Sequence, residues 1–183
     1  MNNLSYDQKL ILLLYKLFYQ TQYPTVLLKD EERTKTHINA QKLCFLLKLN
    51  GLDIGDFGYA WNFRGPYSPG LLVVLRSLDA NIESVKDYYT SDEKLDKLLT
   101  DEEHKRVRTL IRDLLISKHR NDKSSWMELL GSIAFLSNSV LPGEDFDRIE
   151  EELHSRKDQF NDSENNRAAW DALSKAGILK TAN

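Results

Sequence analysis

The 183-residue chain has one cysteine, Cys44, so no intrachain disulfide can form and a reducing, cytoplasmic setting is expected. It also lacks a long apolar run. The longest such segment, residues 10–15, is stopped by Lys16. The N-terminal "MNNLSYDQK" has no basic stretch leading into apolar residues, so neither a signal peptide nor a membrane span is expected. Glycine (8) and proline (4) are scarce, and 41% of residues are hydrophobic, which excludes a disordered chain and allows a real core. Cysteine pairs, H-x-x-x-H and H-E-x-x-H spacings, a P-loop and a G-x-G-x-x-G are all missing. Bound metals and nucleotide cofactors are therefore not expected.

A strong positive charge is lacking too. The net charge of −3 excludes a molecule that wraps nucleic acid by overall electrostatics. The acids gather late. Residues 124–183 hold six Lys and Arg against eleven Asp and Glu, concentrated around Glu144, Asp145, Asp147, Glu150, Glu151 and Glu152. Such a surface is either a solvated helix face or a contact for a basic protein partner.

What is present is helical periodicity. "SYDQKLILLLYKLFYQ" reads as a first, largely buried helix, with Ser5 and Gln8 at capping-box spacing. "DEERTKTH" reads as a charged connection, and "INAQKLCFLLKLNG" as an apolar helix closed by Gly51. Residues 70–79 predict a third helix, and "NIESVKDYY" a second strand. "TDEEHKRVRTLIRDLLISKH" is amphipathic. Thr100 and Glu103 form its capping box, and Val107, Leu110, Ile111, Leu114 and Leu115 its inner face. "SSWMELLGSIAFLSNSVL" is another apolar helix, with Ser125 and Glu128 at capping-box spacing. "DFDRIEEELHSRKDQF" carries Phe146, Ile149, Leu153 and Phe160 on one stripe, and a last helix ends at Gly177. The expected fold is mainly α: one compact multi-helix domain over 1–183 with a small β region, a winged-helix-like element among its options, and an acidic helical extension at 143–177.

The β region is "FGYAWNFR". Phe57, Tyr59, Trp61 and Phe63 alternate with small or polar residues, so all four rings should face one side of a strand and pack on helices. The corner Arg64, Gly65, Pro66, Tyr67 and Ser68 follows. Ser68 before Pro69 reads as a helix N-cap, since the serine oxygen can accept an orphan N–H and proline suits the first helical position. The pattern Gly-Pro-Tyr-Ser-Pro-Gly is not G-x-S-x-G. A proline directly after the serine also removes an oxyanion-hole donor, so Ser68 is a poor nucleophile.

"AQKLCFLLKLNGLDIGDFGYAWNFRGPYSPGLLVVLRSLD" resembles the core of the bacterial YwgA-like family, in which a "QKL-x-FLL" helix precedes an aromatic strand, "GPYS" and a leucine-bearing helix. Gln41, Lys42, Leu43, Phe45, Leu46, Leu47, Gly65, Pro66, Tyr67, Ser68 and Leu71 carry the match. "WMELLGSIAFL" is similar to that family's later "WLELL" helix. The module also resembles the C-terminal domain of DNA ADP-ribosyl glycohydrolase antitoxins and, distantly, Panacea-type antitoxin domains. The resemblance spans about residues 35–140 by motif spacing. It implies a helical domain of antitoxin or defence settings and no catalytic residues. The macrodomain of the larger antitoxins has no counterpart here, so glycohydrolase activity does not carry over.

The expected function is thus non-enzymatic binding of a protein partner, such as a toxin or defence component. Tyr59, Trp61, Glu150, Glu151 and Glu152 are the candidate contacts. The alternative is a winged-helix-like DNA-binding regulator using Lys105, Arg108 and Arg112, which share one helix face. A hydrolase acting through Ser68 is a third option. Interleaved acids such as Glu102, four residues before Arg106, favour surface salt bridges over a nucleic-acid patch. A second basic group, Arg33, Lys35, His37 and Lys42, lies near the start of the second helix.

Overall fold

A computed structural model describes residues 4–19, 30–89, 95, 97–115 and 123–180. The order is α1 (Tyr6–Tyr19), α2 (Asp30–Leu49), β1 (Ala60–Asn62), β2 (Gly65–Tyr67), α3 (Pro69–Ala80), α4 (Ile82–Tyr89), α5 (Asp101–Leu115), α6 (Lys123–Phe135), a π-helical turn (Leu136–Val140), α7 (Phe146–Arg156) and α8 (Ser163–Lys175). The protein is mainly α, with one two-stranded antiparallel sheet among the described residues.

Two helices are buried nearly all round. In α1, Leu10 through Tyr15 are all inaccessible, and in α6 every residue from Trp126 to Ala134 is buried except Glu128. Uniform hydrophobicity rather than an apolar stripe places a helix at the centre of a fold. α6 packs most extensively on α2 and also meets α7, α8 and β2, while α1 meets α3, α4 and α5. The Trp126 indole N–H donates to the Leu114 carbonyl at 2.7 Å, which joins α6 to the end of α5. One continuous apolar core runs from Leu4 to Ile178.

Several local readings hold. Ser5 and Gln8 exchange both capping-box bonds, at 2.8 and 3.3 Å, and Thr100 and Glu103 do the same at 2.8 and 3.2 Å. Gly51 (φ 84) and Gly177 (φ 67) take the left-handed conformation past the ends of α2 and α8. Val107, Leu110, Ile111 and Leu114 are buried, whereas the Leu115 side chain lies outside the described residues. Phe146, Ile149, Leu153 and Phe160 are buried as the stripe requires.

Other readings are corrected. The "DEERTKTH" segment is not a connection but the first two turns of α2, which starts at Asp30. Thr36 within it and Asn39 just beyond it are buried and polar, so no apolar period announces it. Within the segment 81–89, Ile82–Tyr89 is helix α4, not a strand. Val85 is buried between half-buried Ile82 and Tyr88, a spacing of three. Asn81 serves both neighbours. Its side chain donates to the Ser77 carbonyl at 2.7 Å and its carbonyl accepts from Val85 N–H at 3.0 Å. The Ser125–Glu128 pair opens no helix, because α6 already includes Lys123 and the Glu128 carboxylate is engaged with Lys157.

The aromatic strand is shorter than its alternation. Only Ala60–Asn62 pair, with Ala60 opposite Tyr67, Trp61 opposite Pro66 and Asn62 opposite Gly65. Phe57 is buried and Tyr59 and Trp61 are half-buried. Phe63, however, sits in the turn and is 80% exposed. Gly65 (φ 80) reverses the chain there, a conformation that strains any residue with a Cβ.

Candidate functional site

The two motifs that lie 24 residues apart in sequence meet here. The Gln41 amide donates to the Ser68 carbonyl at 2.9 Å and accepts the Ser68 N–H at 2.9 Å. Ser68 Oγ accepts from Leu71 N–H at 3.3 Å, and Pro69 takes the first helical position. Ser68 is therefore a buried, fully engaged N-cap, as its flanking residues predict.

Lys42 is buried and its Nζ donates to the Pro66 carbonyl at 2.7 Å. Its stem runs between two glycines. A Cβ on Gly131 would come within 3.1 Å of Lys42 Cδ and 3.2 Å of Pro66 Cγ. One on Gly65 would meet the buried Ser132 hydroxyl at 2.8 Å. Gly131 is thus tolerated inside α6 because the lysine and the hairpin approach the helix backbone. Beside it, Lys157 Nζ donates to Glu128 Oε1 and to the Phe63 carbonyl, both at 2.6 Å. Lysines on α2 and just past α7 thereby hold two carbonyls of one hairpin. Gly131, Glu128, Ser132 and Lys157 were not legible as site residues, because each acts through a contact distant in sequence.

Burial pushes the Lys42 amine from its ordinary 10.5 down to about 7. Attraction to Glu128 opposes this shift, and Lys157 and Arg64 add to it. Between these two values the unfolded chain keeps a proton that the folded chain has released, so stability rises with pH. The slope is at most about 1.4 kcal/mol per pH unit. Cys44 acts oppositely at higher pH, since burial raises its thiol from 9.0 to about 12 and the unfolded chain then loses its proton first. Urea midpoints measured upward from neutral pH to about 9 should climb in the wild type relative to Lys42→Met. Parallel curves would show that the amine stays charged in the fold.

Outside this pinned corner lies an open cleft of about 410 Å³, between the N-terminal half of α2, the hairpin tip and α3. Ile38, Phe63 and Leu72 give it apolar walls, Arg64 gives it a cationic one, and His37 and Lys42 also line it. His37 Nε2 lies 3.1 Å from Asp79 Oδ2 of α3. Arg64 is exposed and forms no ion pair among the described residues. Tyr67 also lines the cleft.

The other candidate residues fall elsewhere. Tyr59 packs at a tilt against Phe45 (centroids 5.0 Å apart, planes at 55°), and burial pushes its hydroxyl pKa up. Trp61 packs on Phe135 at 5.8 Å, with the Arg156 guanidinium 5.1 Å over its ring. These rings hold the hairpin to the helices. Glu150 accepts from Ser163 and Asn166 at 3.0 Å each, while Glu151 pairs with Arg148 and Glu152 with Arg156. The acidic run is thus engaged within α7 and with α8. Lys35 is exposed, and the Arg33 side chain lies outside the described residues. Arg106 reaches the Gly51 carbonyl at 3.3 Å instead of Glu102, and Arg112 pairs with its neighbour Asp113 at 3.0 Å. Among the described residues no group of three or more His, Cys, Asp or Glu is placed to hold a metal, and no helix is long and apolar enough to cross a membrane. No family model, curated protein or solved structure matches the chain.

Proposed function

We propose that the chain is a non-enzymatic, cytoplasmic protein-binding module of the antitoxin and defence type, and that its partner seats on the corner cleft. The observation that carries this reading is Phe63, held 80% exposed at the rim of the cleft by a carbonyl that Lys157 pins at 2.6 Å. With its backbone held, a large exposed ring gives up only side-chain freedom on binding, which suits an interface hot spot. Arg64 beside it offers a forked donor for a carboxylate, with His37 across the cleft. The fitting partner is therefore a protein segment that places an apolar side chain on Phe63 and an acidic one on Arg64. Ser68, the most plausible nucleophile by residue type, is occupied as a cap, which supports the non-enzymatic reading.

The test begins with a partner captured from the source cell and then purified. Against it, Phe63→Ala and Arg64→Glu should each weaken binding at least tenfold, about 1.4 kcal/mol. Glu151→Lys, outside the cleft lining, should change affinity little. A partner that binds both corner variants like the wild type would overturn the cleft as the contact. Failure to recover any partner would overturn the interaction reading itself.

A further inference from the structure

We propose that the solvent face of α5 is a second binding surface, separate from the corner cleft, that takes the phosphate backbone of a nucleic acid without reading its sequence. Lys105, Arg108 and Arg112 stand at i, i+3 and i+7 of this helix and are all exposed. They lie about 4.5 and 6 Å apart along its axis at the helical rise. With His104 they line a depression of about 630 Å³ in which Asp101 is the one acidic residue among the described residues. The acids interleaved in the sequence leave Lys105 and Arg108 without an ion pair, although one of them compensates Arg112. Glu103 is engaged with Thr100 in the capping box, and Asp113 pairs with Arg112. Lys105 and Arg108 have no ion-pair or hydrogen-bond partner among the described residues.

The chemistry of the face selects the partner. Beyond its acidic first turn, where Asp101 and Glu102 are exposed, its exposed positions are Lys105, Arg106, Arg108, Thr109 and Arg112, with no large apolar side chain. Protein interfaces of useful affinity need a buried apolar or aromatic centre, which this face does not offer. The depression also has no Phe, Tyr or Trp on which a base could stack. What remains is a row of cations, and a row of cations binds a polyanion by releasing its counterions.

Binding of a mixed-sequence duplex and of its single strands should be followed by fluorescence anisotropy at increasing salt. Three phosphate contacts give a log–log slope of about −3, so affinity should fall roughly 40-fold between about 50 and 200 mM salt. The variant Lys105→Gln/Arg108→Gln should bind at least tenfold more weakly at the low end, with a slope shallower by about 2. Both residues are exposed, so its urea midpoint should match the wild type, and Phe63→Ala should bind nucleic acid normally. The proposal is overturned by undetectable binding at about 50 mM salt, or by a salt slope that the double variant leaves unchanged. It is equally overturned if polyglutamate competes as well as nucleic acid of equal charge, or if one sequence is strongly preferred.

Discussion

Replacing Lys157 with methionine is expected to destabilise the protein by about 3–5 kcal/mol, the usual consequence of removing one partner of a buried ion pair. The Lys157 side chain is 2% exposed and that of Glu128 13%. The lysine amine serves two acceptors at once, Glu128 Oε1 and the Phe63 carbonyl. Methionine keeps the stem packed near Trp61 and Phe160 but leaves a carboxylate with Gln159 as its remaining partner at 3.2 Å. Removing both charges, as Lys157→Met/Glu128→Leu, should recover much of the loss, because the uncompensated buried charge is then gone. Chemical denaturation of the two single variants and the double variant gives the coupling directly. A Lys157→Met cost below about 1 kcal/mol would mean that solvent screens the bridge as it does at a surface, and that the hairpin is not pinned there.

Gly65→Ala should cost about 2–4 kcal/mol, combining left-handed backbone strain with overpacking. Gly65 has φ 80, and a Cβ there would lie 2.8 Å from Ser132 Oγ. The two contributions can be separated. Ser132 Oγ is buried without a hydrogen-bond partner, so Ser132→Ala alone should be close to neutral. In that background Gly65→Ala should lose the overpacking part and retain about 1–2 kcal/mol of backbone strain. An additive double variant would place the whole cost in the backbone. A Gly65→Ala protein as stable as the wild type would contradict the packed geometry of the corner. Both substitutions act on the same hairpin, so the partner binding proposed for Phe63 should weaken in step with its loosening.

The local features of this protein were determined by the sequence alone. The Ser5–Gln8 and Thr100–Glu103 boxes, the Ser68 cap and the glycine ends at Gly51 and Gly177 depend on residues within four positions of one another. The buried stripes followed from the 3.6-residue period, and so did the mainly helical class. The reading failed where the period was weak or interrupted. The polar start of α2 has no apolar repeat, and α4 is too short to display one. The aromatic alternation continued through Phe63 although the chain had already turned, because a period of two says nothing about where a strand stops.

Tertiary structure alone decided the site. Side-chain type marked Lys42 and Lys157 as solvent-seeking, yet each is buried, since a backbone carbonyl of the hairpin waits at the end of its stem. Trp61 and Tyr59 pack the hairpin on the helices, and Phe63, a candidate for the core, became its exposed tip. The alternation places four equivalent rings on one face. Which of them meets water depends on the left-handed turn at Gly65 and on α6 coming close enough, at Gly131, to grip the returning strand. Ion pairing was undecided in the same way. Spacing along α5 allowed Glu102 to meet Arg106, but Arg106 turned to the Gly51 carbonyl of another element, and Lys105 and Arg108 were left facing solvent. Interactions within a helix can be counted from spacing, whereas competition from a neighbouring element cannot, because that neighbour is near only once the chain has folded.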